Sequence, residues 1–345
     1  VKFKLLFLFL LFPIAVHSAN QKFTFIYYYP WYGNPAHDGK WSHWEFNNHQ
    51  PPYDISSSYY PKLGTYSSQD PSIINQHMAW ISRTGIQVVI YSWWGRDDET
   101  HYNANAVLDA ASKFELKVAF LIEPYPGRSP RRICDDIDFL EQRFGKHPAF
   151  FRMRWHIPQK DSTRRSMFFI YDPDYPDNDL RRVIKNLHET TQNPIVLLQS
   201  TDASLLERTG TDGIFSYEAY QPVEMLFPEI ANEVKKRGGI FVPSVAPGFN
   251  INRTFGKKTS TQRLRRNGKT YDEWWEHVLA SDSDYVAVIS FNEWHEGTQI
   301  EPAIAMPMPV RGYLTYEGAY GSTGTDAEKS YLRRTARWIQ LFMQN

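Results

Sequence analysis

Glu293 and Glu296 stand three positions apart in the run Phe291-Asn292-Glu293-Trp294-His295-Glu296-Gly297-Thr298-Gln299-Ile300, with His295 between them. Two carboxyl groups and an imidazole this close in sequence can give and take protons at one reacting centre. The run follows Tyr285-Val286-Ala287-Val288-Ile289-Ser290, which has the composition of a buried strand. Chemistry-bearing side chains at the carboxyl end of such a strand mark the active sites of α/β enzymes. Crowding by Trp294 and by the second carboxylate favours a retained proton, as a general acid requires. His295 raises a metal site as an alternative. Adjacent residues seldom reach one ion, and the chain has no HExxH motif, so no metal and no cofactor is expected.

The elements that must position this run recur along the chain. Strand-like segments are expected at Phe23–Tyr29, Gln87–Trp93, Lys117–Ile122, Met167–Tyr171, Ile195–Gln199, Gly213–Tyr217, Ile240–Ser244 and Tyr285–Phe291. Helical patterns lie at Pro71–Thr84, Ala104–Phe114, about Arg131–Arg143, Val223–Arg237 and Tyr271–Ala280, and a last one runs from Ala327 to about Phe342. Eight strands alternating with helices predict a (β/α)8 TIM barrel of the α/β class, a single domain over residues 20–345 with long loops at its carboxyl-end face. The strands are apolar throughout, as a sheet covered on both faces requires. A doubly wound open sheet would need a glycine-rich phosphate turn after the first strand, where Tyr29-Pro30-Trp31-Tyr32-Gly33-Asn34-Pro35 stands instead.

In a barrel the strand ends converge on one depression. They carry Tyr28 and Trp31 after the first strand, Trp93 and Trp94 after the second, and Glu123 and Tyr125 after the third. Tyr217 follows the sixth strand, and Asn292 and His295 join the two glutamates after the eighth. Carboxylates, aromatics and amides without a nucleophilic serine are the inventory of a glycoside hydrolase. Glu123 either binds sugar hydroxyls or pairs with an arginine such as Arg128. A non-catalytic carbohydrate-binding barrel would share the aromatic loops, and the presence of Glu293 and Glu296 argues against it. Aromatics make up 16% of the 345 residues, and many sit in loop-like stretches suited to stacking on sugar rings. A formal net charge of 0 excludes nucleic acid as an electrostatic partner.

Residues 1–19 have the form of a secretory signal peptide, with Lys2 and Lys4 before the apolar Leu5–Val16 and small residues Ser18 and Ala19 at the end. That predicts a secreted or periplasmic protein without stable membrane insertion; an uncleaved anchor facing the lumen or periplasm is the alternative. Cys134 is the only cysteine, so stability must come from packing rather than from internal disulfides.

Across nearly the whole mature chain the sequence resembles the endo-acting α-mannosidases of glycoside hydrolase family 99. The resemblance is carried in order by Tyr28-Tyr29, Trp31 to Pro35, Asp38-Gly39-Lys40, His43-Trp44, Tyr60-Pro61, Ser92-Trp93, Ile122 to Tyr125, His147 to Phe150, Asp212-Gly213-Ile214, Pro243-Ser244-Val245, Pro247-Gly248 and Ser290 to Ile300. It implies a (β/α)8 barrel and retaining cleavage of internal α-1,2-mannosidic linkages in mannan or mannose-rich oligosaccharides. It also implies that Glu293 assists the substrate 2-hydroxyl in forming a 1,2-anhydro sugar while Glu296 acts as acid and then base. Glu123, Tyr217 and Arg253 are implied sugar contacts, although the Arg253 loop departs from the animal enzymes' pattern. Trp94-Gly95 resembles the bacterial members and implies mannose rather than glucose in the neighbouring subsite; action on glucosylated high-mannose glycans is the alternative within the class.

Overall fold

A computed structural model describes residues 21–155, 164–256, 261–305 and 312–345. Eight parallel strands form the barrel: β1 (Phe23–Tyr28), β2 (Val88–Trp93), β3 (Lys117–Ile122), β4 (Arg164–Ile170), β5 (Ile195–Gln199), β6 (Gly213–Phe215), β7 in two pieces (Ile240–Val242 and Ser244–Val245) and β8 (Tyr285–Val288). β1 pairs with β2 on one side and with β8 on the other. The break in β7 falls at Pro243, which has no amide hydrogen to give to a ladder. The first piece pairs with β6 and the second with β8, and so the ring closes.

Helices alternate with the strands: α1 (Pro71–Ser82), α2 (Glu99–Lys113), α3 (Pro130–Phe144), α4 (Asp177–His188), the short α5 (Leu205–Thr209), α6 (Phe227–Lys236), α7 (Lys269–Ala280) and α8 (Ser330–Gln344). Their starts follow from local chemistry. Asp70 caps α1 at the Ser72 amide, Asp98 caps α2 at the Thr100 amide, and Ser129 caps α3 at the Arg132 amide with Pro130 in the first turn. Helices α4 and α5 stand where none was expected, and a short antiparallel strand, Arg152–Arg154, adds to the edge of β4.

Side chains alternate across each strand, and this divides the core in two. Phe25, Tyr27, Ile90, Leu121, Phe169, Leu197, Phe215, Val242 and Ala287 fill the barrel interior, where edge-to-face rings such as Phe25–Phe169 (5.8 Å) and Phe169–Phe215 (5.2 Å) lock together. Ile26, Tyr28, Val89, Tyr91, Trp93, Phe120 and Ile122 point outward against the helices. Cys134 on α3 is half-buried and its thiol lies 3.7 Å from the Val183 carbonyl of α4. Among the described residues, no helix is long and apolar enough to cross a membrane. Residues 1–19, expected to be a signal peptide, lie outside the described residues.

The long connection from β1 to α1 sends many of its aromatic side chains into the core. Trp44 stacks on Tyr32 at 4.1 Å and donates from Nε1 to the Tyr66 carbonyl at 2.9 Å. Tyr32, Trp44, Tyr59, Tyr60 and Tyr66 are all buried. These loop aromatics build the floor under the cleft rather than its sugar-facing surface.

Candidate active site

The alternation that fills the barrel also selects what reaches its mouth. Ser92, Glu123, Tyr171 and Tyr217 continue the inward-facing parity of β2, β3, β4 and β6, and Tyr29 that of β1. Ser92 Oγ donates to Glu123 Oε1 at 2.7 Å, and Trp94 Nε1 donates to Ser92 Oγ at 3.0 Å. Glu123 is therefore held by a short chain from Trp94. Burial pushes its carboxyl up to about 8, against the opposing pull of the Ser92 hydrogen bond and of Arg128. Arg128 makes its own hydrogen bonds to the carbonyls of Ile122, Tyr171 and Asp172.

After β8 the chain turns sharply and presents both glutamates. Ser290 Oγ accepts from the Glu293 amide (2.8 Å), and Glu293 Oε1 accepts from the His295 amide (2.9 Å). Thr254 Oγ1 donates to the His295 carbonyl (2.8 Å), and the Asn250 amide donates to the Glu296 carbonyl (2.6 Å). Arg265 closes the turn with donations to the carbonyls of Gly297 (2.9 Å) and Gln299 (2.6 Å). Gly297 has φ +64°, and a Cβ there would lie 3.0 Å from the Asn250 carbonyl oxygen, so a glycine is needed. Behind the turn, buried Glu301 accepts from Tyr66 (2.8 Å) and from Trp294 Nε1 (3.0 Å), and its other oxygen faces His77 at 3.2 Å.

Glu293 is buried and Glu296 is half-buried toward the cleft. Burial raises both carboxyl groups, Glu293 well above the ordinary range and Glu296 to about 7, and the Glu296 charge adds to the rise at Glu293. The pair thus keeps a proton near neutral pH. Tyr217 donates to Glu296 Oε2 at 3.4 Å and makes a short hydrogen bond with the Tyr29 hydroxyl. Burial also pushes the His295 imidazole down to about 3 and His43 to about 4. His295 Nδ1 lies 2.9 Å from the Ser56 carbonyl, which can only accept, so its Nε2 accepts from His43 Nδ1 at 3.3 Å. A neutral, doubly engaged His295 supports the turn. Trp31 stacks on His43 at 4.5 Å and lies 5.9 Å from Trp94.

The structure thus brings together Glu293, Glu296, Glu123, Tyr217, Trp31, Trp94 and His295. Five expected cleft residues lie elsewhere. Tyr28 and Trp93 have outward parity: Tyr28 bonds His77 of α1 (3.1 Å) and Trp93 faces His101 of α2 (3.4 Å). Tyr125 packs on Trp93 and bonds Asp136 of α3. Asn292 is fully buried and clips the backbone of Tyr29, accepting from its amide at 2.8 Å and donating to its carbonyl at 2.9 Å. Arg253 is committed to Asp54, to the Ile55 carbonyl (3.0 Å) and to the face of Tyr313 (4.2 Å). It is a latch between the first and seventh loops. His147 pairs with Asp109 at the other end of the barrel. Ser92 and Tyr29 stand in the sequence only as parts of matching motifs without a site role, and Arg265 is not singled out there at all; strand parity is the signal that exposes the first two. Among the described residues, no three His, Cys, Asp or Glu side chains group as a metal-ligand set.

A (β/α)8 barrel that gathers buried carboxyl groups beside aromatic rings at its carboxyl end defines a glycoside hydrolase. The chain belongs to glycosyl hydrolase family 99, whose family model matches residues 19–344. The rat glycoprotein endo-alpha-1,2-mannosidase is 31% identical over 93% of this chain and 75% of its own length, and the mouse protein of the same name is 32% identical over the same shares. The solved family 99 endo-alpha-mannosidase of Bacteroides thetaiotaomicron matches with a TM-score of 0.82 at 31% identity, covering 93% of this chain and 97% of that one. A solved glycoside hydrolase-like protein at 12% identity and a TM-score of 0.62 shares the fold.

Proposed function

We propose that the chain is a retaining endo-α-1,2-mannosidase that cleaves inside mannan or mannose-rich oligosaccharides through a 1,2-anhydro sugar. The observation that carries this is the turn itself. Glu293 and Glu296 issue from one turn after β8, whereas a mechanism with an attacking carboxylate opposite the leaving group places its two acids on either side of the scissile bond. In the first step the Glu293 carboxylate takes the 2-hydroxyl proton as that oxygen bonds C1, while Glu296 gives its proton to the departing glycosidic oxygen. In the second, Glu296 takes a proton from water, the water oxygen bonds C1, and the C1–O2 bond breaks as Glu293 returns the proton to O2. The sugar hydroxyl bonded to Glu293 favours its charged form, which leaves the shared proton on Glu296.

Glu123 and Tyr217 bind the sugar in this scheme, and Trp94 faces the neighbouring residue, where its indole favours mannose. Export of the protein, through the leader-like residues 1–19, belongs to the same proposal. The test is product analysis with a linear α-1,2/α-1,3-linked manno-oligosaccharide and its glucose-capped analogue. Release of a disaccharide from the first with retained configuration is expected, with the capped analogue the poorer substrate. Cleavage of neither overturns the function, and equal rates overturn the role given to Trp94. Glu296→Gln is expected to lose turnover by roughly a thousandfold or more; full turnover in that variant overturns the acid/base role.

A further inference from the structure

One wall of the cleft is a continuous row of rings. Trp94, Trp31, His295, Phe46 and Phe255 follow one another with centroid separations of 5.9, 6.2, 5.7 and 5.7 Å. The row begins at Trp94, which reaches Glu123 through Ser92, and passes the catalytic turn at His295. It then leaves the buried cleft, because Phe46 is 47% exposed and Phe255 is 53% exposed. The two phenylalanines come from different loops and meet edge to face, with ring planes at 76°.

The pair is a built feature. Phe46 opens a short 3-10 turn, Phe46–Asn48, and Phe255 ends the one-turn helix Asn252–Phe255. The Arg253 latch to Asp54 and Ile55 joins their two loops, and His49 bridges the Asp54 carboxylate (2.8 Å) and the Arg253 carbonyl (2.9 Å). Asn47 and Asn48, which follow Phe46 directly and are both exposed, hold left-handed conformations with φ of +59° and +66°, a region that asparagine enters more readily than most residues. Flat apolar faces edged by amides suit a neutral polyol with a carbon-hydrogen face and hydroxyls around it.

We propose that Phe46 and Phe255 form a distal sugar subsite that takes one pyranose residue of the substrate chain, beyond those held at the glutamates. If Trp94 faces the non-reducing end that carries mannose or a glucose cap, as the proposed function has it, the far end of the row from Trp94 lies on the leaving-group side of the cleaved bond. The proposal rests on the endo-mannosidase reading and adds chain-length selectivity to it. A glycan long enough to reach the platform gains binding that a shorter one lacks, and the fixed loops limit the ordering cost of that gain.

The experiment compares kcat/KM for the shortest α-1,2-linked manno-oligosaccharide that the wild-type chain cleaves with that for one two residues longer. The long-to-short ratio in the wild type is expected well above one. Phe46→Ala and Phe255→Ala are expected to lower that ratio roughly tenfold, the size of a lost stacking contact. Phe255→Tyr, which keeps the ring, is expected to retain it. Both rings are exposed, so thermal midpoints measured in parallel should stay near wild type and separate a binding loss from misfolding. An unchanged ratio in both alanine variants overturns the platform and leaves the enzyme reading standing. A wild-type chain that cleaves neither length overturns the enzyme reading, and the ligand named for the platform falls with it.

Discussion

Three carboxyl groups, Glu123, Glu293 and Glu296, share one buried cleft, and burial raises all three. A carboxyl group that folding raises binds more protons in the native state than in the unfolded one. Its favourable contribution is therefore complete below the unfolded value and is lost as pH rises through the folded value. For Glu123 the window runs from 4.5 to about 8. Glu123→Gln removes the ionisable group and keeps a similar shape beside Ser92. Its stability advantage over wild type should widen across that window, reaching a few kcal/mol, at most about 5, at pH 9. Denaturant titrations at pH 5 and pH 9 check this, and an advantage independent of pH contradicts it. The gain should come with weaker sugar binding, since an acid kept at this cost to stability is kept for its ligand.

The turn that carries Glu293 and Glu296 is a loop made rigid by its neighbours, and Arg265 is its most unusual support. Its guanidinium is buried within 4.8 Å of the ring centroids of Tyr59, Tyr316 and Tyr331 while it donates to two carbonyls of the turn. Lysine keeps the charge and loses the planar fork. Arg265→Lys is expected to lower kcat about 10- to 100-fold with KM nearly unchanged, because the turn loses its fixed placement. A purely structural role would lower the melting temperature and leave kcat of the folded enzyme intact. Element positions were largely legible in the sequence: Lys117–Ile122 and Ile195–Gln199 agree end to end, and the expected Ile240–Ser244 is the broken β7. The candidate site was legible as a place, through the acids after β8, and less so as a set of side chains. Tyr28 and Tyr29 are equal as residue types, yet one turns to a helix and the other to the cleft, and only strand register decides which. Asn292 and Arg253 are polar residues near the mouth whose hydrogen bonds are taken up by backbone far away in sequence, a commitment that no local pattern announces.

At the scale of the whole molecule, one barrel carries a cleft built almost entirely from its carboxyl-end loops, and its stability depends on packing across that ring. Cys134 lies on an outer helix, half-buried against α4, and burial pushes its thiol up to about 11 from 9.0. At neutral pH this leaves roughly a hundredfold less thiolate than an ordinary cysteine has. The protein thus carries a single slow-reacting label site, and a thiol reagent reports how often α3 lifts from α4. A saturating manno-oligosaccharide on Glu296→Gln should slow that labelling if the two helices part only when the barrel itself opens, since ligand stabilises the closed form alone. Labelling that ignores the ligand would mean that α3 breathes locally. The lone sulfur is in this way a clock for the opening of a fold that no covalent crosslink holds shut.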